Sequence, residues 1–552
     1  MTNQQIARLL LTIILGGCGM AAAEAAPDVP SERPDSYNDS GVQLSRTRQY
    51  LEYQYTQRRL AEEQAASKVE GETPQEPSAE ETVTFHLNRV DMPASSVLKS
   101  EDIEAIAQEY VGKEVSIEDL YALVAKINKL YDAKGYLTCR AYLAPQTIHD
   151  GVVRIELIEG KTGEVKLQGN ATTKDYYIRD RVSLKEGKVA NVNELNRDLL
   201  RFNATNDVQL RIAMKAGTAA GTTDYVITAV EPQKEVFGIM ADNAGYKTSG
   251  LYRSGIYWQD RSLTGNRDSL FLSTLFSQGT KSFAGTYMVP IDHQGSKAGL
   301  SYSTNSVHIT DGALEPLQVR GHSYAYDLFL TTPVKTTETV KSEIGLDYNY
   351  QSSHTSFYGM PWVNDRLHSF QIFYDQIDYG RSTIWYQKHG YSFGRYTNIE
   401  DTSRTYGKYE LTTLFQKHFR HGQSWNLRFD GQLSSTQYLP SAEMFYLGGM
   451  YSVRGYKESL IGGDGGFLAG AEYNWPIAKN HQVQAYVFLD GGRVWGSSAF
   501  GDRSLVGTGF GIKGNLGEHL YLNTALAFPL VRTINDEEQS RARVHFSLNG
   551  TF

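Results

Sequence analysis

The chain has 552 residues, 62 acidic against 54 basic side chains and a net charge of −8, with a pI of about 6.0. It is too long for one small domain and lacks the broad cationic footprint of a nucleic-acid binder, so no nucleic acid is expected as partner. With 36 Tyr, 51 Gly and a mean hydropathy of −0.42, the composition suits an outer-membrane barrel with strands of alternating polarity, or a large secreted β-protein.

Residues 1–26 read as a secretory signal: Arg8 is the charged flank, Leu9 to Leu15 the apolar centre, and Ala21 to Ala26 offer small-residue cleavage sites. An alternative takes Leu15-Gly16-Gly17-Cys18 as a lipoprotein-type box. The apolar run is too short to span a bilayer, and no later segment approaches ~20 consecutive apolar residues. Any membrane crossing would therefore use strands. Cys139 is the one cysteine outside the signal, which leaves no internal disulfide.

Residues 27–66 form an N-terminal segment. Its first part is polar and proline-containing, and 40–66 is a predicted helix with only a thin apolar stripe (Leu44, Leu51, Tyr55, Leu60). A helix polar almost all round packs in a wet place or does not fold alone. Acidic residues 67–81, with two prolines, make a flexible linker. A β-α-α-β-β pattern then occurs twice, over 82–161 and 162–232, each unit a small α+β domain. In the first, strand 83–92 precedes a helix from Ser100. A second helix starts at Ser116 with Asp119 in a capping box, shows a 3.6-residue face (Leu120, Leu123, Val124, Ile127, Leu130, Tyr131) and ends at Gly135. Strands 136–143 and 151–158 follow, with Cys139 in line with Leu137, Ala141 and Leu143 as a buried small hydrophobe. In the second unit, Asn191 caps a helix with Glu194 in the box position, and 208–217 with 223–230 close a hairpin.

From 233 to 552 the helical period vanishes. Segments of about ten alternating residues broken by Gly, Asn, Asp and Ser give about sixteen strands and a membrane β-barrel, although a soluble β-sandwich would also alternate. In the last strand Val544, Phe546, Leu548 and Phe552 face one way and Arg543, His545, Ser547 and Asn549 the other. In 483–495, Ala485, Val487 and Leu489 form the lipid face, so Asp490 points into the lumen beside Phe488 and Tyr486. A carboxylate there calls for a cation. Arg454, in the Gly-rich loop 445–460, has the planar fork that binds a carboxylate through two hydrogen bonds. The alternative is a solvated loop charge.

Val453-Arg454-Gly455-Tyr456 resembles the VRGY loop signature of the TpsB transporters of two-partner secretion, the ShlB/FhaC/HecB-type haemolysin secretion/activation family within the POTRA-plus-β-barrel superfamily. Phe488, Asp490 and Gly492 match the family's F-x-D-x-G strand motif. The order of parts is also similar: signal, helix, linker, two POTRA units, barrel. Smaller echoes are Asp242 to Gly245 and Tyr287 to Pro290.

The resemblance implies a sixteen-stranded outer-membrane barrel whose sixth outer loop folds into the lumen, pinned by Arg454 to Asp490. The helix at about 40–66 would plug the pore. The periplasmic POTRA pair would capture a large unfolded TpsA-type exoprotein. Periplasmic chaperones and the barrel-assembly machinery would serve in biogenesis, with Phe552 as the membrane-insertion signal and outer-membrane lipid around the barrel. Two matches are discounted. Gly390 to Gly394 (G-x-S-x-G) lacks the setting of a nucleophile elbow and reads as a hairpin. Gly509 to Gly514 (G-x-G-x-x-G) lacks a following helix. No enzyme, cofactor or metal site is expected. The competing functions are an assembly factor of the same superfamily, favoured less because such proteins commonly carry more POTRA units, and a solute channel.

Overall fold

A computed structural model describes residues 38–64, 84–478, 482–497, 503–534 and 537–552. The signal segment with Cys18 and the linker 67–81 lie outside the described residues. The chain falls into two compact units: residues 62–232, and the N-terminal helix together with 233–552.

The helix α1 (Ser40–Gln64) belongs with the barrel and is described with it. The smaller unit begins with β1 (Thr84–His86) and β2 (Arg89–Asp91). The expected strand 83–92 is thus split. Leu87 is fully buried, and Asn88 N donates to Gly151 O at 2.8 Å, which turns the chain from one partner to another. α2 (Ser100–Gln108), β3 (Glu114–Ser116), α3 (Ile117–Lys134), β4 (Cys139–Leu143) and β5 (Val152–Glu159) complete the first half; β1 pairs with β3, while β2, β5 and β4 form a sheet in that order. The second half has β6 (Lys161–Gln168), α4 (Asp175–Arg179), α5 (Val192–Thr205), β7 (Gln209–Ala216) and β8 (Thr222–Val230), in sheet order β6-β8-β7. In both sheets the first strand is parallel to the central last strand, and the middle strand is antiparallel on its other side. The repeat read from the sequence is a repeat of topology.

The helix signals act as expected in α3. Ser116 Oγ accepts from Asp119 N at 3.2 Å, Asp119 Oδ2 accepts from Ser116 N at 2.8 Å, and Gly135 (φ +87°) ends the helix in the left-handed region. Leu120, Leu123, Ile127 and Tyr131 on its apolar face are fully buried. Cys139 and Ala141 join that core, but Leu137 precedes the strand and is exposed. Asn191 caps α5 through Asn193 N and Glu194 N, whereas the Glu194 carboxylate pairs with Arg197 at 3.8 Å and makes no capping box.

One residue, Gly160, separates β5 from β6. Val192 N donates to Gly135 O at 2.8 Å and Asn191 Nδ2 to Lys134 O at 2.9 Å, so the end of α3 is closed by the start of α5. At the end of β5 the Glu159 carboxylate accepts from Ser95 Oγ (2.5 Å), Ser96 N (2.9 Å), Ser96 Oγ and Tyr131 OH (2.9 Å). Burial pushes this carboxyl up, but the donors outweigh it and hold Glu159 below its ordinary value. Its stabilisation is therefore full above the unfolded carboxyl value and is lost as pH falls through the lower folded one. The readout is Cys139, fully buried, with burial raising its thiol to about 11. Labelling of Cys139 by an acid-reactive pyridyl disulfide should accelerate in the wild type as pH drops below about 4.5. Glu159→Gln should already label faster at neutral pH and lose that dependence. Equal profiles would refute the assignment.

The larger unit is a closed barrel of sixteen antiparallel strands among the described residues, from Glu235–Asp242 to Arg543–Thr551, which pair to close it. This is the strand number expected. Phe552 N donates to Phe237 O at 2.8 Å, which puts both chain ends of the barrel at one rim, the entry rim. Lipid-side residues such as Leu328, Val487, Leu489 and Val544 are exposed, whereas Ser323, Asp327, His545 and Ser547 are buried on the inner face. Near the entry rim Trp425, Tyr473 and Trp475 form an outer aromatic run, with successive ring centroids 5.1 and 6.0 Å apart. Gly390 to Gly394 lies inside the strand Thr383–Thr397 and is no hairpin; Ser392 points inward and accepts from Gln371 Nε2 at 3.0 Å.

Candidate functional site

The strand Val483–Trp495 turns Tyr486, Phe488 and Asp490 inward, all buried. Between strands Ser424–Ser434 and Gly465–Pro476 the chain makes the long connection 435–464, which folds back against this inner face. Its stem is a short hairpin of Phe445–Leu447 with Ile461–Gly463. Glycines at 448 and 449 (φ +106° and +109°) turn the chain, and a Cβ at 449 would collide with the Glu458 carboxylate at 2.0 Å.

Arg454 meets Asp490 fork to fork, Nε to Oδ2 at 2.7 Å and Nη2 to Oδ1 at 2.9 Å, and the Arg454 backbone N adds a bond to Oδ2 at 3.2 Å. The third edge of the guanidinium, Nη1, reaches Glu472 Oε2 at 2.8 Å, and Lys513 Nζ holds the other Glu472 oxygen at 2.6 Å. Two cations thus face two carboxylates. The guanidinium lies over the Phe488 ring, 3.6 Å from its centroid. Phe488 and Tyr486 lie close against the wall because Gly509 and Gly511 present no side chains: a Cβ at either would meet those rings within 2.7 Å. The glycines of the discounted G-x-G-x-x-G match thus serve close packing on a barrel strand.

The other motif residues surround this network. Val453 and Tyr456, both fully buried, pack with Leu447, Ile461, Leu468, Val494 and Leu505. Tyr456 OH donates to Val506 O at 2.7 Å and accepts from Val531 N at 3.1 Å. Gly455 (φ +101°) donates its N–H to His545 Nε2 at 3.1 Å. A Cβ at Gly492 would meet Phe467 O at 2.5 Å and Leu447 at 2.8 Å, so glycine there lets the loop stem rest on the wall. Phe552 stands apart at the entry rim, stacked on His519 at 5.3 Å. Sequence reasoning turned His545 to the polar face of its strand without linking it to Arg454, and named neither Glu472 nor Lys513 as a partner of that guanidinium.

α1 runs inside the barrel. Ser40 Oγ is 2.6 Å from Ser323 Oγ at the far rim, Arg48 pairs with Asp327, Glu52 with Lys388, and Leu60 packs on Ile377, Ile384 and Leu414 near the entry rim. Its 25 residues at about 1.5 Å each exceed the roughly 25 Å apolar band of such a barrel. The helix is polar because the surface it meets is polar. Tyr50 and Tyr53 contact Tyr451 of the inward loop, with ring centroids 4.7 and 6.4 Å apart.

The family model of the haemolysin secretion/activation protein ShlB/FhaC/HecB matches residues 221–514, and that of the ShlB-type POTRA domain matches 85–160. The heme/hemopexin transporter protein HuxB of Haemophilus influenzae is 24% identical over 80% of this chain and 82% of its own length. The outer membrane transporter CdiB of Dickeya dadantii is 22% identical over 74% and 76%. The solved structure of CdiB from Escherichia coli superposes with a TM-score of 0.68 at 19% identity, covering 95% of this chain and all of that one, a likeness of fold. With the family model spanning more than half of the chain, this protein belongs to the ShlB/FhaC/HecB haemolysin secretion/activation family, the outer-membrane β-barrel transporters of two-partner secretion whose POTRA domains lie in the periplasm.

Proposed function

We propose that the chain captures an unfolded TpsA-type exoprotein with its POTRA pair and exports it through the barrel without ATP. The observation that carries this reading is a sixteen-stranded barrel whose lumen is occupied by α1 and by the loop 435–464, the latter held by Arg454 on Asp490; α1 would be its plug. The division into signal 1–26, N-terminal segment 27–66, linker 67–81, POTRA units 82–161 and 162–232, and barrel 233–552 is part of the proposal. So are the use of periplasmic chaperones and assembly machinery, and the role of Phe552 in insertion. No G-x-x-x-x-G-K-[ST] loop occurs, so folding of the passenger outside is the drive that remains. The chain acts as a conduit and carries out no catalysis of its own.

Capture would use strand addition. β8 is paired on both sides, which leaves the hairpin only the outer edge of β7. In the first POTRA unit, Asn128 of α3 bonds both Ala141 N (2.7 Å) and Ala141 O (3.1 Å), occupying the edge of β4. Asn203 of α5 does the same at Leu210, with bonds of 2.7 and 3.0 Å. By antiparallel alternation Ile212 and Met214 also turn their backbone groups outward, and no described residue meets them. This favours β7 beyond Leu210 as the acceptor.

The test compares culture medium and outer membrane of wild-type and deletion strains. Loss of one very large exoprotein from the medium, with outer-membrane barrels unchanged, is expected. A joint fall of many barrel proteins would replace this reading with that of an assembly factor.

A further inference from the structure

Besides its contacts to the wall and to Tyr451, α1 meets the inward loop at a further joint, built from three consecutive residues, Ser441–Glu443. Ser441 Oγ donates to Asp39 Oδ2 at 2.7 Å, just before α1. Ala442 O accepts from Ser45 Oγ at 3.0 Å, one and a half turns into the helix. Glu443 turns instead to the wall, where its Oε2 lies 2.7 Å from Lys408 Nζ. Lys408 stands on strand Ser403–His418 with its side chain 9% exposed, and it also meets Glu410 at 3.0 Å. Gln432 Nε2 ties the Glu443 carbonyl at 2.9 Å. An apolar cluster seals the joint: Val42 of the helix, fully buried, packs with Leu439, Met444 and Tyr446 of the loop and with Tyr396 and Tyr406 of the wall.

We propose that the Lys408–Glu443 pair is a clasp that keeps the plug seated, by fixing to the wall the short turn on which the first turns of α1 hang. The inference rests on the plug reading above. It assigns the two halves of the loop different duties. Residues 453–456 fix the loop in the lumen, and residues 441–443 fix the helix to the loop. At this end the helix makes neutral hydrogen bonds through Ser40, Gln43 and Ser45 and apolar contacts through Val42, each weak alone, so the ion pair to the wall sets how firmly the turn 441–443 stands. Breaking a shielded pair from one side leaves an uncompensated charge, which is why single substitutions should be felt. Of the two, Glu443→Gln is the cleaner, since it leaves Lys408 with Glu410 and does not alter a barrel strand. Lys408→Met strands two carboxylates.

The experiment is planar-bilayer conductance of the purified full-length chain, with folded barrels verified by heat-modifiable gel mobility. The set is wild type, E443Q, K408M, the exchanged pair K408E/E443K, and a deletion of residues 38–64. E443Q and K408M should each raise the open fraction about ten-fold, a change of about 1.4 kcal/mol. The exchanged pair should return it toward wild type, which a merely structural role for either residue would not do. If the deletion opens the pore while E443Q and K408M stay as closed as wild type, the clasp is overturned and the plug stands. If the deletion itself leaves conductance unchanged, the plug reading falls, and the clasp with it.

Discussion

Arg454→Ala and Asp490→Ala should each abolish or greatly reduce export while the barrel still inserts. Removing the arginine strips Asp490 of its two-bond partner, while Lys513 stays committed to Glu472 and Arg428 to Asp430. A buried charge stripped of its partner costs about 3–5 kcal/mol, enough to free the loop. Asp490→Ala keeps the Glu472 contact and should be the milder of the two. Arg454→Lys separates charge from geometry: an ammonium cannot span both Asp490 oxygens and Glu472 at once, so export should fall well below wild type despite the conserved charge. The measurement is passenger in the medium per folded barrel in the membrane. Near-normal secretion by both alanine variants would refute the lock.

Ile127→Ala should be the most damaging single change in the POTRA pair. Ile127 lies fully buried between α3 and the first sheet, in contact with a core that includes Leu87, Leu120, Leu123 and Ile155. Truncating such a side chain costs about 2–5 kcal/mol, a large share of the stability of a unit this small. Export should fail although the barrel inserts normally. Rapid labelling of Cys139 would report the cause. If Cys139 labels rapidly while secretion stays normal, the first POTRA unit is dispensable for capture; if Cys139 stays protected, the stability argument for Ile127 falls.

The legible features were those a local period reveals. Asp490 could be turned inward because strand side chains alternate, and α3 could be bounded because Ser116, Asp119 and Gly135 act within their own turns. The four-centre network could not be read, because Glu472 and Lys513 are brought together by the stagger between strands, a property of barrel closure that no single segment carries. The split of 83–92 escaped for a similar reason: β1 and β2 read as one alternating run, and only their separate partners β3 and β5 divide them. The uniform polarity of α1 was seen, but its meaning depended on the lumen around it.

The joint at Gly160 has a mechanical consequence. With one residue between β5 and β6, and the carbonyls that end α3 capped by the start of α5, the two POTRA modules form a strut with no soft hinge between them. The free outer edge of β7 is therefore held at one setting against the first unit, like the movable jaw of a gauge clamped in place. Asn191→Ala, at about 1 kcal/mol for a lost cap, should slacken that setting without unfolding either unit.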